Sequence, residues 1–454
     1  MKKLIETFRN IFKIQELRNR ILFTLMLLAA FRFGSFVILP GIDSKTLEAL
    51  FNQQQGSGIL ALINTFVGGA FSRGSIFALG IMPYISASII VQLAGTVLPT
   101  IAKLQREGES GIRKINQLTR YLSVLITGVQ AAAYVVNLQQ YKQAIVADPW
   151  QFWLTTVFVL TAGTMFLVWM GERITDNGIG NGVSLLIAVG IIADLPVALI
   201  TEWQNSPLMI FFAEIVGLAA VIMLVILLTE GTRRIPVNYA RRMVGAKVSG
   251  GMTPSVRQYI PLKLNAAGVM PIIFAQAIMF IPATVAQFFP ESEFWAGTGS
   301  WFNDFKSIPY NLIFVTLIIL FTYFYTAIAV NPNDIAENLK RQGGFIPGVK
   351  PGTATSEYID DILTRITLPG SIFLAIIAIL PAIVGSLGVS QPFALFFGGT
   401  SLLIMIGVVL DTLRQIESHL LMRHYDGLMK SGRVRSKARA MAGGGESPVS
   451  YDAV

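Results

Sequence analysis

Long apolar stretches, each about as long as a membrane-crossing helix, dominate this sequence and are separated by segments that carry most of the charge. Hydrophobic residues make up 53% and charged residues 13% of the 454 residues, whereas soluble domains are roughly one quarter charged. A helix of ~20 apolar residues crosses the hydrocarbon core. The sequence therefore predicts an all-α polytopic membrane protein. We place ten spans at residues 21–40, 75–98, 117–137, 151–171, 181–200, 208–229, 265–287, 309–330, 368–386 and 393–413.

The distribution of basic residues predicts how these spans are oriented. Only four of the 35 Lys and Arg residues lie in loops that follow odd-numbered spans, namely Lys45, Arg73, Lys142 and Lys306. Basic loops remain on the cytoplasmic side, so we expect both termini in the cytoplasm. Residues 1–20 interleave basic and apolar residues at helical spacing, which predicts an amphipathic helix on the membrane surface and not a cleavable signal.

The segment before the second span is too short and too rich in glycine to cross a membrane. Apolar residues cover barely two turns, and Gly68, Gly69 and Gly74 follow. We expect a half-helix at about 59–74 that enters the membrane and turns back beside a cavity, because non-helical backbone at that depth needs protein or water as partner. Within the second span, Pro83 predicts a kink between Ile81 and Ile85. From spacing alone, these isoleucines fit lipid contact or packing.

The second and seventh spans share the pattern G-[IV]-M-P-x-I, at Gly80–Ile85 and at Gly268–Ile273. The two copies occur at matching depth in spans that run in opposite directions. Five spans separate them, as an inverted repeat requires. The sequence therefore predicts two five-helix halves, at residues 21–207 and 208–430.

Few ionisable residues are predicted inside the spans, and the clearest, Arg32 and Glu214, are each isolated. A secondary transporter of a small solute shares inverted repeats but needs charged groups along its pathway. The sequence offers few candidate catalytic residues for an enzyme, because the chain has no cysteine, no clustered acids and histidines only near its C-terminus. We predict no catalytic residue, cofactor or metal site. An apolar constriction that gates by excluding water suits this composition better, with the transporter as the alternative.

Several segments closely resemble the SecY/Sec61-alpha family of protein-translocation channels, from about Arg18 to about Tyr425. They read SRGSIFALGIMPYISASIIVQL, GTMFLVWMGERITDNGIGNGVSLLI, PLKLNAAGVMPIIFA, NPNDIAENLKRQGGFIPGVKPG and FGGTSLLIMIGVVLD. The resemblance implies a non-enzymatic channel for unfolded secretory polypeptides, with an hourglass pore between two inverted halves. It also implies a plug half-helix and a lateral gate, between the second and seventh spans, that releases signal sequences and membrane segments to lipid.

The resemblance further implies roles for individual residues, carried over by position. The pore ring comprises Ile81, Ile85, Val183, Ile187, Ile273 and Ile404, with Val183 one methylene smaller than the commoner isoleucine. The plug contains Phe66, Val67, Gly68, Gly69, Ala70, Phe71, Ser72 and Arg73. The lateral gate contains Ser86, Gln92, Gln130, Asn265 and Ile281. The polar members could hydrogen-bond across the gate or form ordinary interhelical bonds.

Two loops, at residues 232–263 and 331–368, combine basic residues with turn signals. The first predicts a basic hairpin, and the second opens on NPND, a helix-start signal. Such charges also fit solvated faces or lipid headgroups. The resemblance implies docking of the ribosome and the motor ATPase SecA at Arg233, Arg234, Arg241, Arg242, Lys247, Arg257, Lys340, Arg341 and Lys350. Lys350 stands where the family most often has arginine and lacks the planar fork of a bidentate contact.

The resemblance implies SecE, which clamps the two halves, and SecG as further subunits in a bacterial cytoplasmic membrane. The tail at residues 431–454 is basic and then rich in glycine and polar residues. This composition predicts disorder.

Overall fold

A computed structural model describes residues 14–54, 64–139, 142–146, 148–239, 258–288 and 306–442. Within these ranges most residues are helical, and a small sheet lies in the loops. The helices are α1 Gln15–Gly34, α2 Ser44–Gln54, α3 Met82–Val97, α4 Pro99–Arg106, α5 Glu109–Gln139, α6 Pro149–Asn177, α7 Gly182–Asn205, α8 Leu208–Glu230, α9 Met270–Phe288, α10 Ile308–Ala329, α11 Pro332–Arg341, α12 Thr353–Ser386, α13 Gln391–Ala394 and α14 Gly399–Ala442. The strands are β1 Thr232–Tyr239, β2 Gln258–Lys263 and β3 Gly344–Phe345.

Ten of these helices follow the ten predicted spans in order, namely α1, α3, α5, α6, α7, α8, α9, α10, α12 and α14. Among the described residues, seven helices are long and apolar enough to cross a membrane by themselves. The bent pair formed by α3 and α4 gives an eighth when it counts as one span. Two large apolar clusters form the core, one mostly in the N-terminal half and one mostly in the C-terminal half.

The second span differs from its prediction. Its helix begins at Met82 and not at residue 75, and residues 67–80 form turns. Pro83 lies in the first turn of α3, where its missing N–H would have no helical partner anyway. The predicted kink at Pro83 is therefore wrong, and the chain bends by 105° where α3 meets α4.

The shared glycine motif adopts the same conformation in both halves. Gly80 and Gly268 have φ values of 57° and 63°, in the left-handed region that favours glycine. A helix starts two residues after each, at Met82 and at Met270. The N–H of Ile85 donates to Ile81 O at 3.2 Å, and the N–H of Ile273 donates to Val269 O at 3.3 Å. The repeat read from the sequence is thus also a repeat of backbone geometry.

The two long loops, which the sequence presented as separate features, form one module. Strands β1 and β2 pair antiparallel, which confirms the predicted hairpin, and β3 adds to the other side of β1. Asn331 caps α11 by accepting from the Asn333 N–H at 3.1 Å. Helix α12 starts well before the predicted residue 368. Strands β1–β3, α11 and the first turns of α12, here called the loop module, share an apolar cluster of their own.

The two chain ends also bear on the sequence predictions. Residues 1–13 of the predicted surface helix lie outside the described residues, and α1 runs from Gln15 into the first span without a break at residue 20. Helix α14 continues to Ala442, so residues 431–442 are helical where disorder was predicted. Arg, Lys, Ala and Met recur there and favour helix. The rest of the tail is outside the described residues.

Candidate pore and plug

The six predicted ring residues come together in one apolar cluster. Ile81, Ile187 and Ile404 are buried members of that cluster, whereas Ile85, Val183 and Ile273 are partly buried and pack against it. They project from α3 and its N-cap, α7, α9 and α14, so both halves contribute. Ile85 and Ile273 also pack against the second large cluster. The ring therefore lies where the cores of the two halves meet.

The plug residues pack into the same cluster as the ring. Phe66, Val67, Ala70 and Phe71 are buried members of it. Residues 64–66 are helical and residues 67–74 form turns, while residues 55–63 are outside the described ranges, so only the end of the predicted half-helix can be compared. The hydroxyl of Tyr134 on α5 donates to Phe71 O at 2.8 Å. This structure thus holds the plug in its buried position.

Glycine allows the plug backbone to touch helix α7 directly. A Cβ on Gly190 would lie 2.4 Å from Phe66 O, and a Cβ on Gly68 would lie 2.9 Å from Gly190 O. Small residues of this kind let backbones approach closely inside membranes. Gly68 and Gly69 have φ values of 64° and 77°, so the turn needs glycine for its conformation as well.

Protein groups satisfy the non-helical backbone between the plug and α3. The N–H of Leu39 donates to Gly74 O at 2.8 Å, and the N–H of Ile76 donates to Val37 O at 2.9 Å. Gly80 closes its own turn by donating to Phe77 O at 2.8 Å. Irregular backbone at membrane depth requires such partners, and the chain after α1 supplies them.

A cavity of about 410 Å³ lies beside the plug. Plug residues line one side of it, α7 contributes Asp194 and Ala198, and α13 with the residues after it contributes another side. A cavity beside this segment was expected from the sequence. It gives the plug a polar, open face opposite its buried apolar face.

The sequence suggested that Arg32 is isolated, but in the structure it contacts the plug. Its Nη1 donates to Gly68 O in the plug at 2.8 Å, and Arg73 donates to the same oxygen. Both guanidinium groups lie over the ring of Phe36, at 4.9 and 4.6 Å from its centroid. The charge of Asp194 interacts with both arginines. Sequence reasoning missed Asp194, although an acidic residue inside a span is itself a signal of function.

Two further acidic residues are Glu202, near the end of α7, and Glu214, on α8. Glu202, at the end of α7, is fully buried and accepts hydrogen bonds from Ser206 and Ser390. Sequence reasoning missed it as well. Glu214 has a buried Oε2 with no hydrogen-bond partner among the described residues, which agrees with its predicted isolation.

The predicted gate helices α3 and α9 contact each other, and the two polar gate residues of α3 bond within their own helix. Ser86 donates to Met82 O at 3.2 Å and Gln92 donates to Ser88 at 3.4 Å, both within α3. Asn265 Oδ1 is buried and lacks a partner in the described part of the chain. Gln130 is half-buried on α5. Ile281 lies on α9, and its side chain is outside the description.

Apolar contacts join α3 to α9 instead. Ile89 of α3 is a buried member of the same cluster as Ile272 and Phe274 of α9. These three apolar side chains need no hydrogen-bond partner, so their contact holds the helices together by packing alone. Among the described residues, Ser86 and Gln92 therefore bond within α3, and the contact between α3 and α9 is apolar.

The predicted docking residues that the structure describes are exposed on the loop module. Arg233 and Arg234 lie on β1, Lys340 and Arg341 on α11, and Lys350 precedes α12. Arg341 pairs with Glu337 at 2.6 Å. Arg241, Arg242, Lys247 and Arg257 lie outside the described residues.

An apolar ring at the junction of two inverted halves, covered by a glycine-rich re-entrant segment, defines a gated membrane channel. The SecY family model matches residues 75–413. The chain is 41% identical over 433 residues to the protein translocase subunit SecY of Haemophilus influenzae, which covers 92% of this chain and 95% of that protein. The chain therefore belongs to the SecY family.

Solved structures share the fold at lower sequence identity. One is a SecY structure in which the plug domain is described as stabilising the closed state of the translocation channel. It has a TM-score of 0.62 at 17% identity, and the match covers 88% of this chain and 92% of that chain. Another is Sec61 in the canine ribosome–channel complex from the endoplasmic reticulum. It has a TM-score of 0.59 at 16% identity and covers 88% of this chain and 92% of that chain.

Proposed function

We propose that the protein is the channel through which a translocase moves unfolded secretory polypeptides across the bacterial cytoplasmic membrane. The observation that carries the proposal is the meeting of all six ring residues with the plug in one apolar cluster built by both halves. A narrow apolar constriction excludes water and ions when closed. Aliphatic side chains can yield around polypeptides of any sequence because they form no specific bonds.

Membrane segments leave the pore sideways between α3 and α9. The apolar contact between these helices supports this route, since Ile89, Ile272 and Phe274 lose no hydrogen bond when they are exposed to lipid. Signal sequences, themselves apolar helices, would occupy the same opening and replace the contacts that α3 and α9 lose. Ser86, Gln92, Gln130, Asn265 and Ile281 remain proposed members of this gate.

The channel is passive and not an enzyme. SecA or the ribosome supplies the driving force from the loop module, where exposed basic side chains suit acidic protein or RNA partners. The canine relative in a ribosome complex supports the ribosome as a partner. SecE clamps the two halves and SecG joins them. Both termini and the loop module lie in the cytoplasm, in accordance with the distribution of Lys and Arg.

Cysteine crosslinking tests the channel directly, because the chain contains no cysteine. A precursor with one cysteine is stalled halfway through export, and the single variants Ile85→Cys and Ile90→Cys are oxidised. Ile90 lies on the same helix but is 46% exposed on its outer side, so it is the matched control. We expect a disulfide from Ile85→Cys only, and its loss when the export signal is deleted. No disulfide from the variants Ile85→Cys, Ile187→Cys or Ile273→Cys with an engaged precursor would favour the transporter.

A further inference from the structure

We propose that Arg32, Arg73 and Asp194 form an electrostatic latch that holds the plug closed, and that this latch sets how readily the resting channel opens. The inference rests on the proposed channel function and concerns the regulation of the same site. The three residues come from three different parts of the fold, namely α1, the plug and α7. The latch therefore brings the plug together with two of the helices beside it, α1 and α7.

The two arginines grip a single plug carbonyl. Arg32 Nη1 donates to Gly68 O at 2.8 Å, and Arg73 Nη2 donates to the same oxygen. Two charged donors on one acceptor make a strong contact. Gly68 can present this carbonyl because its backbone is left-handed, with φ at 64°. The Arg73 bond lies within the plug, so the Arg32 bond is the one that must break when the plug moves away from α1.

The negative charge of Asp194 offsets the repulsion between the two guanidinium groups. The two guanidinium groups lie over the same ring of Phe36 and repel each other. The Asp194 charge attracts both of them. A Cβ on Gly69 would lie 2.8 Å from Arg73 Nη2 and 3.5 Å from Asp194 Oδ1, so both groups crowd the same plug backbone. Among the described residues, no ion pair within 4 Å joins Asp194 to either arginine, so its attraction acts at longer range.

The position of the latch makes it sensitive to the salt concentration. Arg73 and Asp194 line the 410 Å³ cavity beside the plug. Ions in that cavity can screen the attraction between them. The apolar contacts of the plug with the ring are not screened by salt. Electrostatic and apolar contributions to closure can therefore be separated by experiment.

The test uses the full chain in lipid nanodiscs with the substitution Ala70→Cys in the plug. Ala70 is fully buried, so a water-soluble maleimide reacts there only when the plug moves. Asp194→Asn is compared with Asp194→Glu, which keeps the charge, and with Glu48→Gln, which removes an exposed carboxylate from the same cavity. We expect Asp194→Asn to react about fivefold faster than the parent, which corresponds to about 1 kcal/mol.

We expect Glu48→Gln to react at the same rate as the parent with Ala70→Cys alone, and Asp194→Glu to react more slowly than Asp194→Asn because it keeps the charge. The parent should react faster as salt is raised, whereas Asp194→Asn, in which only the repulsion between the arginines remains, should react at an unchanged or lower rate. A salt-independent rate in the parent overturns the latch even if Asp194→Asn does not fold. Equal rates for Asp194→Asn and Glu48→Gln overturn it too. All these rates are measured at rest, so failure of the proposed channel is recognised separately, by the absence of a disulfide to the stalled precursor.

Discussion

The backbone N–H of Ser390 donates to Glu202 Oε2 at 3.0 Å, and the hydroxyl of Ser390 donates to the same oxygen. The two residues are 188 positions apart and belong to different halves of the fold. Ser206 donates to the other oxygen of the fully buried carboxylate. This contact lies next to the loop between α7 and α8, where the chain passes from one half to the other. It therefore ties the halves together at their covalent connection.

Replacing Glu202 by alanine should destabilise the junction of the halves. The N–H and hydroxyl of Ser390 would lose their acceptor, which costs about 1–3 kcal/mol. We expect thermal unfolding of the full chain in detergent to shift to lower temperature by about 2–6 °C. Ser386→Ala is the matched control, because that exposed serine donates only to Ile383 O of its own helix. Equal melting temperatures for the two variants would show that the Glu202 contact adds nothing.

Replacing Gly190 by alanine should push the plug out of place. The new Cβ would lie 2.4 Å from Phe66 O, so the plug backbone or α7 must shift. Overpacking of this kind costs about 1–3 kcal/mol. Because the cost falls on the closed state, we expect ion conductance of the resting channel in planar bilayers to rise at least about fivefold.

Gly128→Ala is the control for this prediction. Gly128 is also a helical glycine, on α5, but its Cβ would meet nothing within 4 Å. Alanine there improves helix propensity and should leave conductance unchanged. If Gly128→Ala leaks as much as Gly190→Ala, contact between the plug and α7 is not what closes the channel.

Replacing Ile359 by alanine should loosen the loop module. Ile359 on α12 has no exposed surface and belongs to the cluster that joins α12 to β1, β2 and α11. Removing most of a buried isoleucine costs about 2–5 kcal/mol. We expect faster protease cleavage of the loop module in membranes. Tyr358→Ala changes the neighbouring residue, which is 40% exposed, and should cleave at the parental rate. Equal cleavage of both variants would mean that the two loops do not stabilise each other.

The helical elements and the plug could be predicted because their signals are local. Apolar stretches of membrane length mark the spans, and adjacent glycines mark the re-entrant turn. The G-[IV]-M-P-x-I motif predicted the inverted repeat, because the same residues specify the same left-handed glycine and helix start in both halves. The hairpin and the start of α11 followed from basic and turn residues. The resemblance to a family then supplied the ring residues.

The start of α3 could not be predicted, because hydropathy does not distinguish an apolar segment that forms turns from one that forms a helix. Residues 75–81 are such a segment. The Ile76 N–H donates to Val37 O in the segment after α1, a partner that hydropathy does not reveal. The sequence left open whether Ser86 and Gln92 bond across the gate, because their side chains can bond in either direction. Only the helix positions show that they bond within α3.

By itself the sequence determined that the chain spans a membrane many times, repeats its architecture and contains a turn that only glycine can form. Tertiary structure alone decided which charges meet. Arg32, Arg73 and Asp194 lie far apart in the chain, as do Glu202 and Ser390, and each looks solitary in its own segment. Their interactions depend on distances of a few ångströms between separate helices. Hydropathy specifies that a helix crosses the membrane, but not its neighbours or its rotation, and those two quantities set the distances.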